Sequence, residues 1–562
     1  MKNYIKQTIL PAVLCVALLS GCGSNGATSS PSMTTASAET ISSDSAIVVQ
    51  TLSLDNLFSD RDMKQDYDAA DAVAVQLTGN TAACTSDAVK IDGSRITLLD
   101  EGVYVFSGTL SDGQIIVDAD SSDKVQIVLN GVDITSASSA AIYSLEADKV
   151  FVTLAAGSEN ALSNGGTFTA IDDNNIDAVI YSKTDLTLNG AGSLTVTSPA
   201  DHGIVSKDEL TITGGTYTVT AAKHGLTGKD SVAVADGSFT ITSGKDGIHA
   251  EHADDTAKGF LYIVDGSFDI DAQGDAINAS GDLQIDGGSY VLTTGGGSSS
   301  VTMSTGSGMQ RPGGFKEFSA SQTSSDSADT TADTESCKGI KADGALTVNG
   351  GVFTLDTADD AVHGGGDATI AGGEWTIRTG DDGIHADAAT VIRAGTILIP
   401  YCYEGVEGQS VTIDGGTLDI TAYDDGINAA GGADGSGTGF GYGKQDQFAA
   451  DESCFIIINN GTITIVSDGD SIDSNGTLTV NGGTLNLTCN GNGNTAIDTN
   501  WTFANNGGAI TTNDGSESGT GGTGGMGGGR GGMSGEKPAK NGKQAGTQSG
   551  TAQQRPTPGT SA

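Results

Sequence analysis

The phrase "TGDDGIHAD" (379–387) has close relatives along most of the chain. Aligning them places one apolar residue at Ile204, Leu226, Ile248, Ile277, Ile340, Val362, Ile384, Val406, Ile427, Ile472 and Ile497, most often 22 residues apart. No other feature constrains the fold as much, because so short a unit cannot bury its own apolar face and must stack on its neighbours.

A second marker keeps the same register: a turn, usually Gly-Gly or Asp-Gly, then one small or polar residue, then a large apolar one. These large residues are Tyr217, Phe239, Phe268, Tyr290, Phe353, Trp375, Ile397, Leu418, Ile463, Leu485 and Ile510. Between the markers lie short alternating runs such as "LTITGGTYTVT" (210–220), the pattern of strands with one face in and one face out. The fold class expected is all-β, a right-handed parallel β-helix with coils of about 22 residues rising about 4.8 Å each. The alternation in "TYTVT" places Tyr217 on the same face as Val219, so the aromatic series is expected as an internal stack and not as a sugar-stacking platform.

Domain boundaries follow from where the markers stop. Residues 1–21 read as a lipoprotein signal peptide: Lys2 and Lys6 precede an apolar run ending in Leu19-Ser20-Gly21-Cys22, with Cys22 as the lipid acceptor. Residues 22–45 are a Ser/Thr/Ala-rich tether. Strand signals without the markers make 46–135 an N-terminal β cap, and 136–512 the β-helix, with insertions at 295–336 and 430–452. The Gly-rich 513–562 is a disordered tail. The remaining cysteines, Cys84, Cys337, Cys402, Cys454 and Cys489, are odd in number and lack metal-site spacing, which leaves their pairing open. Oligomeric state is not legible.

Stacking turns equivalent positions into columns. Two residues before the first marker the column reads His202, His224, Asp246, Asp275, Lys338, Asp360, Asp382, Glu404, Asp425, Asp470, Thr495. One residue after it runs His249, Asn278, Lys341, His363, His385, Glu407, Asn428, Asp473, Asp498, and a further step back adds Asp359, Asp381 and Asp424. Unit charges about 4.8 Å apart repel by about 1 kcal/mol in water and about 3–4 kcal/mol at an effective dielectric near 20. Such a run calls for cations. Oxygen ligands without cysteine favour Ca²⁺, with Asp359, Asp360, Asp381, Asp382, Glu404, Glu407, Asp424, Asp425, Asp470 and Asp473 as candidate ligands. His363, His385, Asn428, Lys338 and Lys341 are candidate carbohydrate contacts in the same columns. The alternative is that these Asp residues simply build turns. Zinc binding by His249 and His252 is weaker, since their spacing does not fall on a helix.

Acidic residues outnumber basic ones 70 to 26, a net charge of −44, which disfavours nucleic acid and points to cations or a cation-bridged partner. The lipobox, "FSDRDM" (58–63), "GTLSDGQIIVDADSSDKVQIVLNGVDI" (108–134) and the D-D-G-I-H/N rungs together resemble a family of bacterial carbohydrate-binding proteins first described in clostridia. The resemblance spans roughly residues 50–510. It implies a secreted right-handed β-helix that binds calcium, cellulose and acidic sugars, and that looks like a polysaccharide lyase without established lyase activity. The function expected is calcium-dependent capture of an acidic polysaccharide such as pectate at the cell surface, by a protein anchored in the membrane through its N-terminal lipid. Two alternatives stand beside it. One is a lyase, with Lys223, Lys245, Lys338, Lys341, Arg378 or Arg393 as candidate bases; the other is an adhesive stalk whose columns serve stability alone.

Overall fold

The structure, a computed structural model, describes residues 57–169, 173–252, 255, 257–303, 336–430 and 451–518. The signal peptide, Cys22, the tether, residues 46–56, most of both long insertions and nearly all of the tail lie outside the described residues.

Each coil contributes three short strands, as in Ile384–Ala386, Ala389–Ile392 and Thr396–Cys402. Every strand of these coils pairs in parallel with its counterpart in the next coil, which makes the molecule a parallel β-helix. The first strands form a sheet of their own. The second and third strand columns join into one larger sheet, because the long strand Lys124–Ser136 pairs with Lys149–Leu154 in one column and Glu159–Asn164 in the other. Both sequence markers form ladders: Val362 stands opposite Ile340 on one side and Ile384 on the other, and Phe353 stands opposite Trp375. The insertions leave this register intact, with Ile277 opposite Ile340 and Ile427 opposite Ile472.

Alternation decides what fills the interior. Tyr217, Phe239, Phe268, Tyr290, Phe353 and Trp375 are all buried and stacked, with ring centroids 5.3, 4.9, 4.9, 4.6 and 3.7 Å apart in succession. The polar tips of Tyr217, Tyr290 and Trp375 donate to carbonyls three residues back, at 2.8, 2.7 and 3.0 Å, so no donor of this stack is stranded. Two glycines show why the repeat keeps them. Gly373, before Trp375, has φ +99°, and a Cβ at Gly383 would lie 2.5 Å from the carbonyl oxygen of Gly405 in the next coil.

The segment expected as an N-terminal cap is built largely of the same coils. Ala72–Gly79 pairs in parallel with Gly102–Leu110, and Arg95–Leu98 with Gln114–Asp118. Its coils are unequal in length, Ile115 standing opposite Ile142 and Ile142 opposite Ile180, which hides the 22-residue period. Among the described residues, capping is confined to two antiparallel pairs, Gln76 with Ala83 and Val89 with Leu98, which occupy an edge that would otherwise offer unpaired strand groups.

"FSDRDM" crosses the outside of the second strands. Buried Asp62 accepts from Thr187 Oγ1 at 2.6 Å and lies 2.9 Å from Lys149 Nζ, its carbonyl takes the Thr213 hydroxyl at 2.5 Å, and Phe58 rests 6.3 Å from the Tyr262 ring. Cys84, Cys402, Cys454 and Cys489 are free thiols, and the Cys337 thiol donates to the Gln273 carbonyl at 3.1 Å.

Candidate metal and carbohydrate site

The acidic column stands where the chain enters each first strand. There the backbone N–H of one coil is bonded by the side chain of the equivalent residue in the coil before. Asp246 accepts from Asp275 N at 2.9 Å, Asp275 from Lys338 N at 2.7 Å, Asp360 from Asp382 N at 3.1 Å, Asp382 from Glu404 N at 3.2 Å, and Asp425 from Asp470 N at 2.6 Å. His202 and His224 do the same with Nδ1, at 3.3 and 3.2 Å. The position therefore selects a short side chain with an acceptor, which both Asp and His provide. Lys338 has none to offer, and the N–H of Asp360 turns instead to Asp359 Oδ1 at 2.9 Å. A hydrogen bond to a charged group contributes roughly 1.5–3 kcal/mol, so part of the column's acidity is structural.

The second carboxylate oxygen is left to the residue one place after the marker. His249 Nδ1 lies 2.6 Å from Asp246 Oδ2, His363 Nδ1 2.9 Å from Asp360 Oδ2, and His385 Nδ1 3.2 Å from Asp382 Oδ2. Asn428 Nδ2 donates to Glu404 Oε2 at 2.8 Å.

These partners divide the strip into two electrostatic halves. Towards the N-terminal end the protein carries its own cations. Buried Lys338 reaches Asp359 Oδ1 at 2.9 Å and Asp360 Oδ2 at 2.6 Å. Burial works against the charge of Asp360, but Lys338 and His363 outweigh it and hold the carboxyl well below the usual carboxylate range. At Asp246, His224 and His249 likewise overcome burial; at His249, in turn, Asp246 and Glu251 overcome burial and raise the imidazole to about 9.

Asp275, raised to about 6 by burial and Asp246, departs from this pattern, and from Asp382 onward the balance reverses. Burial, with Asp381 and Glu407 close by, pushes Asp382 well up; Glu404 is raised by burial and by Glu407 and Asp382, and Asp425 by burial and by Asp424 and Asp473. Burial and Asp498 lift Asp470 to about 6, and burial and Asp470 lift Asp473 to about 7. Among the described residues no Lys or Arg pairs with Glu404, Asp425, Asp470, Asp473 or Asp498. One carboxylate oxygen from each of Asp470, Asp473 and Asp498 lies within 4.8 Å of the others, all three side chains being partly exposed. An all-oxygen trio of this kind fits a hard dication such as Ca²⁺.

The sequence profile of carbohydrate-binding domain-containing proteins matches residues 92–383 and 381–527. The chain belongs to this family. A carbohydrate-binding domain-containing protein of Acetivibrio thermocellus is 40% identical over 137 residues, which are 24% of this chain and 48% of that protein. The chain thus spans about half the length of the curated relative it matches. A solved structure, the polysaccharide lyase-like protein from C. thermocellum as a gadolinium derivative, is similar at 35% identity, covering 40% of this chain and 92% of that one with a TM-score of 0.39. Family membership supports polysaccharide binding in general terms.

In this carbohydrate-binding family member seven of the ten expected metal ligands fall into three groups. Asp470 and Asp473 converge, and the structure adds Asp498, which stands opposite Asp473 in the next coil. Asp382 and Glu407 converge around His385. Asp359, Asp360 and Asp381 also approach one another, but the ammonium of Lys338 already lies against the first two. Asp424 accepts the Tyr403 hydroxyl at 2.7 Å, and Asp425 serves the ladder.

Of the five expected carbohydrate contacts, His363, His385, Asn428 and Lys338 are buried against carboxylates, which turns them inward to the strip. Lys341 is the more open, 3.3 Å from Asp343. Among the candidate bases, Lys223 pairs with Asp201 at 2.9 Å, Arg378 lies over the Tyr401 ring at 5.2 Å, and Arg393 is exposed just after the strand Ala389–Ile392.

Proposed function

We propose that the chain binds an acidic polysaccharide, of the pectate type, through calcium held by Asp470, Asp473 and Asp498. The observation that carries this reading is the partly exposed carboxylate trio whose charge no Lys or Arg balances among the described residues. Ca²⁺ takes six to eight oxygens. Three side chains leave coordination positions open towards solvent, and uronate carboxylates can fill them. Calcium also explains how a chain of net charge −44 holds an anionic polymer. The buried aromatic stack argues against sugar binding on that series of rings.

Lipidation at Cys22 would place the protein on the outer face of the membrane. Replacing Cys22 with Ala should release it into the medium, and retention in the membrane fraction would refute the anchor. For the binding itself, a glycan array probed with calcium and again with EDTA should show uronate polymers in the first condition only. Equal signal in both removes calcium from the mechanism.

A further inference from the structure

A second cluster on the same strip has different chemistry. His385 is fully buried, yet its Nδ1 stands between two acids, 2.9 Å from Glu407 Oε2 and 3.2 Å from Asp382 Oδ2, while its Nε2 faces Asp387 Oδ1 at 3.4 Å. A single N–H can point at only one of the two carboxylates on the Nδ1 side. The three ligand atoms lie within 4.8 Å of one another. In the next coil the buried Oδ1 of Asn428 has no hydrogen-bond partner among the described residues, although its Nδ2 donates to Glu404. Buried amide oxygens are seldom left unpaired.

We propose that Asp382, His385 and Glu407 form a site for a first-row transition dication of the zinc type, separate from the calcium trio and with the Asn428 coil between them. Ligand atoms about 2.1 Å from one ion stand about 3.0–3.4 Å apart at octahedral to tetrahedral angles, near the separations around Nδ1. Calcium is held by oxygen, whereas an imidazole nitrogen shifts preference towards zinc and its neighbours. The ion would replace the Nδ1 proton and share its charge with both carboxylates and the nearby Glu404.

Two other clusters lack this character. At Asp246 the ring nitrogen of His224 already accepts the Asp246 N–H, and Asn278 donates to Asp246 Oδ2 at 3.1 Å. At Asp360 the ammonium of Lys338 takes the cation's place.

The test uses the full chain stripped of metal and titrated with zinc in the presence of excess calcium, with bound zinc counted by mass spectrometry and cobalt(II) absorption as an optical probe. Wild type should hold one equivalent that His385→Gln and Glu407→Gln bind at least tenfold more weakly, while Asp498→Asn leaves it unchanged. Full zinc occupancy in both variants, or displacement of zinc from wild type by equal calcium, overturns the proposal. Glu407, partly exposed, decides alone if His385→Gln fails to fold. The zinc count does not depend on glycan binding, so either reading can fail without the other.

Discussion

The unbalanced half of the acidic strip makes stability depend on pH, a dependence that calcium should offset. In the unfolded chain Asp473 ionises near its ordinary 3.8, and in the folded protein burial and Asp470 hold its proton to about 7. Between those values the folded state binds more protons than the unfolded one, so stability falls as pH rises and levels off above about pH 7. A difference of about three pH units corresponds to about 4 kcal/mol. Partial exposure lowers this to about 2–4 kcal/mol. Asp470, raised to about 6 by burial and Asp498, acts over the lower part of the same window, and since the two repel each other their effects overlap. Urea denaturation in EDTA at pH 5 and pH 8 should show the lower midpoint at pH 8, and millimolar calcium should restore it there and do less at pH 5. Equal midpoints in EDTA at both pH values would refute the electrostatic reading of the strip.

Other perturbations separate the structural from the binding parts. Lys338→Met leaves the fully buried Asp360 without its ammonium and should cost about 3–5 kcal/mol, read as a lower denaturation midpoint that calcium partly restores. Asp275→Leu removes the acceptor for Lys338 N and should cost about 1–3 kcal/mol, whereas Asp275→Asn keeps it. Because burial and Asp246 raise Asp275 to about 6, the Asn variant should match or exceed wild type at pH 8 in the same urea assay. Phe268→Ala opens a hole between Phe239 and Tyr290 and should cost about 3–5 kcal/mol by denaturation, with calcium uptake by titration unchanged.

The period and the columns were legible in the sequence because a solenoid repeats its register: Ile384 and Trp375 stand in the ladders their spacing implies. The first coils were not, because Ile115, Ile142 and Ile180 are unevenly spaced and only pairing in space aligns them. The column of Asp and His residues was visible, but its duty towards the next coil's N–H was not, since an acceptor's partner is fixed by three-dimensional stacking. Lys338 shows the same limit. Its position in the column suggested a sugar contact, and its burial between Asp359 and Asp360 makes it the strip's internal counter-ion. Asp498 carried a signal in the sequence, as the next member of the Asp473 column.

Calcium bridging is tested most directly by titrating calcium into the stripped protein with and without oligogalacturonate. Binding through a shared ion is reciprocal, so the oligomer must tighten calcium by the factor that calcium tightens the oligomer. A gain of about tenfold, or about 1.4 kcal/mol, that disappears in Asp473→Asn and Asp498→Asn is the result expected. Calcium affinity indifferent to the oligomer, with the oligomer still bound, would contradict it.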